Sequence, residues 1–287
     1  MKIVYECIPC LVRQSAEAAK MVTDDVALQQ KIITKSMEDL SKMSFSETAP
    51  YLGRLIHKHV KEVSNNPDPY KELKIEFNQL ADQISKDLAL TDLIKSSNSP
   101  IDTACRLAIA GNIIDFSASR FIDEKKIRET IDHCLEAEIK DSMTKVLSES
   151  VSKSKKILFL ADNSGEIVFD KLLIEELPKE KITYVVKGEP IVNDATMDDA
   201  VKVGMVELVR VIDNGSDAQG TILELCSDRF KEEFENADLI ISKGQANYET
   251  LSEVKDKEIF FLLKAKCKSI ADNLGCSQGD LVLKRIS

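Results

Sequence analysis

Asp162 and Asn163 stand side by side directly behind the apolar run Ile157-Leu158-Phe159-Leu160, and Gly165-Glu166 follow after one serine. A carboxylate and an amide offer hard oxygens of the kind that suit Mg²⁺ or Mn²⁺. A glycine at that point permits a tight turn from a strand into a helix, whose first N–H groups can bind an anion. Oxygen ligands beside an anion hole predict a divalent cation working on a phosphate. Asp194, in the run Asn193-Asp194-Ala195-Thr196, supplies a third hard ligand. Lys243, in Ser242-Lys243-Gly244-Gln245-Ala246-Asn247, is a point charge able to hold a phosphate oxygen and neutralise developing charge. Gly244 allows the backbone to approach an anion closely. A cation held there polarises the phosphoryl group, orients the attacking water and lowers its pKa. Asp162 as a covalent nucleophile is a second route that the same residues permit.

Each piece alone has a plainer reading. Asp-Asn-x-Gly is also an ordinary capped turn, Asp194 can simply cap the next helix, and Ser242-Lys243-Gly244 can be a solvent-facing loop. Asp213-Asn214-Gly215 is read as a turn and nothing more. The elements around them raise the chemical reading above the plain one. In the second half, short apolar strands at 157–160, 182–186, 206–212, 239–241, 259–263 and 281–283 alternate with helical stretches at 168–177, 198–203, 221–234, 249–254 and 269–274. Such alternation predicts right-handed βαβ units and a largely parallel, Rossmann-like sheet with helices on both faces. Open α/β sheets bind ligands beyond the carboxyl ends of their strands, and the polar segments that follow successive strands here would converge on that one edge.

The first half has a different period. Amphipathic helical spacing runs over 11–22, 26–42, 48–63, 70–90, 100–112 and 124–152, with a turn-rich break at Asn65-Asn66-Pro67-Asp68-Pro69. The expected organisation is an all-helical domain over 1–152 and an α/β metal- and phosphate-binding domain over 153–287. A formal net charge of −10 argues against a nucleic-acid or anionic-membrane binder but leaves room for a small phosphorylated substrate. The longest apolar run, Ile259 to Leu263, is too short to span a bilayer, and the start shows no signal-peptide pattern, so a cytoplasmic protein is expected. Oligomeric state is left open.

The set as a whole resembles the damage-control phosphatase family with the ARMT-type metal-binding fold, long catalogued as a domain of unknown function. The resemblance covers most of the chain. It is carried by Cys7-Ile8-Pro9-Cys10-Leu11-Val12-Arg13-Gln14, Ala110-Gly111-Asn112-Ile113-Ile114-Asp115-Phe116 and Asp162-Asn163-Ser164-Gly165-Glu166-Ile167-Val168-Phe169-Asp170. Lys187-Gly188 through Asn193-Asp194-Ala195-Thr196 and the segment Ser242 to Glu249 complete it. The cysteine-bearing start is similar to the prokaryotic-type branch. The resemblance implies a metal triad of Asp162, Asn163 and Asp194, a phosphate-binding Lys243, and hydrolysis of small phosphometabolites, sugar phosphates among them, supported by Mn²⁺, Mg²⁺, Co²⁺ or Ni²⁺. Substrate contacts are expected at Glu166, Gly244 and Asn247 on the sheet edge. By the resemblance alone, Asn112 and Asp115 are expected to reach the site from the helical half. Ala246 stands where the family pattern suggests Gly, and its Cβ restricts close backbone approach there.

The seven cysteines are an odd number without framework spacing, as in a chain whose thiols stay reduced. Cys7 and Cys10, with Cys267 if the chain ends meet and Cys276 or a histidine as fourth ligand, are weighed as a second soft-metal or redox site against ordinary buried thiols. His57 and His59 are two apart, share no helix face and are expected at the surface or in an interface; His133 completes the histidines. Two other functions compete with the phosphatase. A S-adenosylmethionine-dependent methyltransferase needs a Gly-rich first turn, whereas this turn has one Gly and carboxylates. A non-catalytic metal- or ligand-binding protein needs no convergent carboxylate–lysine set.

Overall fold

A single sheet organises the second half of the chain, with a hydrophobic core packed against each of its faces. The computed structural model describes residues 1–113, 124–137, 139–140 and 143–287. Its helices are α1 Cys7–Val22, α2 Val26–Leu40, α3 Ala49–Ser64, α4 Lys71–Asp87, α5 Leu90–Ser96, α6 Pro100–Ile113, α7 Glu124–Glu136, α8 Thr144–Lys153, α9 Glu166–Glu175, α10 Met197–Lys202, α11 Met205–Leu208, α12 Asp228–Glu235, α13 Gln245–Leu251 and α14 Lys268–Leu274. The strands are β1 Ile139–Lys140, β2 Ile157–Leu160, β3 Ile182–Val186, β4 Arg210–Asp213, β5 Leu239–Lys243, β6 Ile259–Lys264 and β7 Leu281–Ile286. They lie in the order β1-β7-β6-β5-β2-β3-β4. All pairings are parallel except β6 with β7, which is antiparallel. The fold is therefore mixed α/β with a mostly parallel sheet and helices leading into it.

Every residue of β2 and of β5 is buried, as expected of central parallel strands. Alternate side chains divide between two cores. Ile157, Phe159, Tyr184, Ile241 and Leu262 join Phe77, Leu107, Leu147 and Phe169 of α4, α6, α8 and α9. Leu158, Leu160, Val185, Ile240 and Phe261 meet Phe230, Leu251 and Ile270 of α12, α13 and α14 on the other face. Helices α1 to α3 form their own small core around Leu11, Leu40, Leu52 and Ile56. Helix starts follow their caps: Asp25 accepts from Ala27 N and Leu28 N, and Ser227 accepts from Phe230 N. Among the described residues no helix is long and apolar enough to cross a membrane.

Three sequence expectations are corrected. The apolar run 206–212 is not one strand: Met205–Leu208 turn helically after the left-handed Gly204, and β4 starts at Arg210. Short apolar runs do not by themselves distinguish helix from strand. The stretch 124–152 is two helices, α7 and α8, with the two residues of β1 between them. The stretch 70–90 ends at Asp87, and Ala89 in left-handed conformation (φ 47°) turns the chain into α5, a separate helix.

Candidate active site

The chain leaves β2 in the middle of the sheet, then builds β3 and β4 on one side and β5 and β6 on the other. The crevice between the carboxyl ends of β2 and β5 is thus the topological switch point, where open α/β sheets bind ligands. Asp162 and Asn163 sit just past β2. The backbone of the next loop is stitched to theirs: Ala195 N donates to Asp162 O (2.9 Å), Ser164 N donates to Asn193 O (2.8 Å), and Asn163 bridges Asp194 in antiparallel fashion. Three expected metal-ligand residues are brought together by these main-chain bonds, with the Ser164 hydroxyl adding one more to Asn193 O (2.9 Å).

Asp194 is fully buried, and neither of its oxygens has a hydrogen-bond partner. Its nearest cation is Lys187, with Nζ 3.5 Å from Asp194 Oδ2, a long ion pair. Burial pushes the Asp194 carboxyl up to about 6, against the pull of Lys187. Burial also pushes Asp162 well above the usual carboxylate range, and Glu166 and Asp194 add to it. Two buried carboxylates, Asp162 raised further by its neighbour and Asp194 without a close hydrogen-bond donor, form a hole for positive charge. Asp162 and Asp194 with the Asn163 amide are a hard-oxygen set that fits a small divalent cation. Among the described residues no three His, Cys, Asp or Glu side chains, the thiols included, gather as a metal site, so a cation held here would need the Asn163 amide beside the two carboxylates.

The other expected residues are placed differently. Lys243 is fully buried and commits its three N–H groups to Glu166 Oε1 (2.6 Å), Asp170 Oδ1 (2.6 Å) and Ala108 O (2.8 Å). Burial works against this cation, but Asp170 and Glu166 outweigh it and hold its pKa above the ordinary value. Glu166 is itself buried, with Oε2 accepting from Asn163 Nδ2 (3.1 Å). Asn247 spends its amide on Ala161 O (3.0 Å), Lys243 O (2.8 Å) and the Thr221 hydroxyl (2.7 Å), pinning the ends of β2 and β5 together. Gly244 has φ 77°, and a Cβ there would come within 1.7 Å of Asp162 Oδ2, so its role is to leave Asp162 room. Asp115 and the side chain of Asn112 lie outside the described residues.

A pocket of about 520 Å³ opens over Asp162 and Asn163, walled by Gln14, His57, Tyr70, Gln245, Glu249, Lys266 and both Cys10 and Cys267. His57, expected at the surface or in an interface, is instead 2% exposed. Burial pushes it down to about 3, so it is neutral. Its Nε2 faces the Gln14 amide (3.3 Å) and its Nδ1 the Tyr70 hydroxyl (3.2 Å). His59 turns away to Asp39 (2.6 Å). Cys7 also lines the pocket, and Cys105, Cys134 and Cys226 are buried elsewhere. Lys187 and Lys266 were legible as lysines of the loops after β3 and β6, whereas in the sequence Glu249 stood out only as the end of a resemblance segment and His57 only among the histidines weighed beside the thiols, neither as a wall of this pocket.

The model of the damage-control phosphatase ARMT1-like domain matches residues 3–282. The chain belongs to that family. It is 35% identical to the damage-control phosphatase of Pyrococcus horikoshii over 99% of this chain and 98% of that protein. A damage-control phosphatase of Archaeoglobus fulgidus is 36% identical, with 99% of each chain covered. An uncharacterized protein of Methanocaldococcus jannaschii is 42% identical over 99% of this chain and 95% of that one. The crystal structure of a DUF89 family protein from Pyrococcus horikoshii superposes with a TM-score of 0.90, covering 100% of both chains at 35% identity. Family and fold thus agree over the same length, helical half included.

Proposed function

We propose that this chain is a divalent-metal-dependent phosphatase that hydrolyses small phosphorylated metabolites, sugar phosphates or related damaged phosphometabolites. The observation that carries the reading is Asp194: a fully buried carboxylate with no hydrogen-bond partner, beside Asp162 and Asn163 at the switch point of the sheet. Family membership supports the phosphatase chemistry, since two of its relatives carry that name. Asp162, Asn163 and Asp194 would hold the cation, which supplies a Lewis acid for the phosphoryl group. Lys187, buried behind Asp194, keeps the cradle from carrying its full negative charge. Lys266, on the wall of the same pocket as Asp162 and Asn163, would supply a positive charge to the phosphate. Gln14 and Gln245 offer amides for the hydroxyl groups of the substrate's remainder.

The test is phosphate release from a panel of sugar phosphates and p-nitrophenyl phosphate, in EDTA and then with Mg²⁺, Mn²⁺, Co²⁺ or Ni²⁺. Turnover should require the cation and be abolished by Asp162→Ala. Tight cation binding with no release from any ester would remove the phosphatase reading and favour a binding protein. Turnover undiminished in EDTA would remove the metal.

A further inference from the structure

Resting on that metal-dependent reading, we infer that Lys243 is a positioning residue of the cation cradle, acting through Glu166 to orient the Asn163 amide. An asparagine can present either end to a cation, but only its carbonyl oxygen ligates a hard ion. Here Asn163 Nδ2 lies 3.0 Å from Asp162 Oδ2 and 3.1 Å from Glu166 Oε2. Two carboxylates therefore claim the NH₂ end, and the carbonyl is the end left for coordination. Glu166 can hold that position because its other oxygen, Oε1, is gripped by Lys243 at 2.6 Å. Lys243 is fixed in turn by Asp170 and the Ala108 carbonyl, and Asp170 by the Tyr184 hydroxyl (2.7 Å). The chain Tyr184–Asp170–Lys243–Glu166–Asn163 runs from the core to the cradle with its three inner members, Asp170, Lys243 and Glu166, wholly buried. It links α9 to the last residue of β5, so the two elements that flank the crevice share one rigid polar strut. A lysine enclosed in this way contacts no phosphate; a phosphate-binding role would require it to leave two carboxylates and a buried seat.

The two roles predict opposite splits. Mn²⁺ titrated calorimetrically into the metal-free full chain should bind about 10- to 100-fold more weakly to Lys243→Met and to Glu166→Gln than to wild type. At saturating Mn²⁺, KM for p-nitrophenyl phosphate should stay within about threefold of wild type in both. Glu166→Gln keeps shape and leaves the Lys243–Asp170 contact, so it answers the question even if Lys243→Met does not fold. An unchanged Mn²⁺ affinity in Glu166→Gln overturns the inference, as does Lys243→Met with intact Mn²⁺ affinity and a KM raised tenfold or more. Wild-type protein that takes up none of the four cations overturns the metal reading itself, and the strut with it.

Discussion

Replacing a buried carboxylate usually destabilises a protein, but Asp194→Asn is expected to leave the metal-free chain as stable as before or more so. The carboxylate has no hydrogen-bond donor, Lys187 stands at 3.5 Å, and Asp162 shares its surroundings. Desolvation and like-charge repulsion then outweigh a long ion pair, and Lys187 keeps the Gly220 carbonyl as its partner. Wild type with Mn²⁺ at a hundred times Kd should gain about 2.7 kcal/mol, and the variant none. Scanning calorimetry in EDTA and in Mn²⁺ gives both numbers. A variant that loses stability in EDTA would mean that Lys187–Asp194 is a structural bridge. His57 gives a second prediction, in pH. Its pKa is about 3 in the folded chain against an ordinary 6.5, so below 6.5 the unfolded state binds the proton and the native state does not. Stability from this group is therefore full above 6.5 and is lost as pH falls toward 3, at about 1.4 kcal/mol per pH unit. Denaturation at pH 7 and pH 5 should show wild type losing about 2 kcal/mol more than His57→Gln. Parallel losses in the two proteins would place the acid sensitivity elsewhere.

Elements, not single residues, decide where these groups meet, and Gly244 is the joint that shows it. Gly244 and Gly275 share a positive φ, 77° and 75°, but Gly275 is αL (ψ 33°) and a Cβ there meets nothing within 4 Å, while Gly244 (ψ 168°) lies outside αL and a Cβ there runs into Asp162. Gly275→Ala should cost only the backbone penalty, about 1 kcal/mol, with Mn²⁺ affinity intact. Gly244→Ala should cost more and abolish Mn²⁺ binding, because Asp162 must move. Equal effects on affinity would show that Asp162 has room to spare. The strand–turn–helix units around this joint were legible because parallel strands buried on both faces read as unbroken apolar runs with polar punctuation. Asp162, Asn163 and Asp194 were legible for the same reason: their loops are polar where the pattern stops. Lys243 was misleading at that level. A lysine at a strand end reads as a donor for solvent or ligand, and only tertiary packing shows Glu166 and Asp170 enclosing it. The helical turn of α11 was hidden by apolar residues that suit either conformation, and the break at β1 by a mixed run, 137–143, with neither Gly nor Pro to mark it.

At the scale of the molecule, the helical half does more than roof the sheet. Asn78, in the middle of α4, is 5% exposed and has its Oδ1 2.6 Å from Gly165 N and its Nδ2 2.8 Å from Asp199 Oδ1. Asp199 in turn accepts from Thr196 N (2.9 Å) and the Thr196 hydroxyl (2.7 Å), closing the start of α10 just after Asp194. One amide from the first half thus clasps both loops that bear the expected ligands. Nothing in the sequence separates Asn78 from any other polar residue on an amphipathic helix, since its partners lie more than eighty positions away. Asn78→Ala leaves the Gly165 N–H and an Asp199 oxygen buried without this partner, which should cost about 1–3 kcal/mol. The loss should be local before it is global. The Gly165 amide should exchange with solvent faster than in wild type, while amides of β2 and β5 keep their protection, because the clasp holds the turn and not the strands. Mn²⁺ affinity should fall as the two loops slacken independently. Hydrogen exchange followed residue by residue reads all of this in one experiment. An Asn78→Ala protein with wild-type exchange at Gly165 would mean that the main-chain bonds from Ser164 and Ala195 hold the loops unaided, and that the helical half contributes walls to the pocket but no rigidity to the cradle.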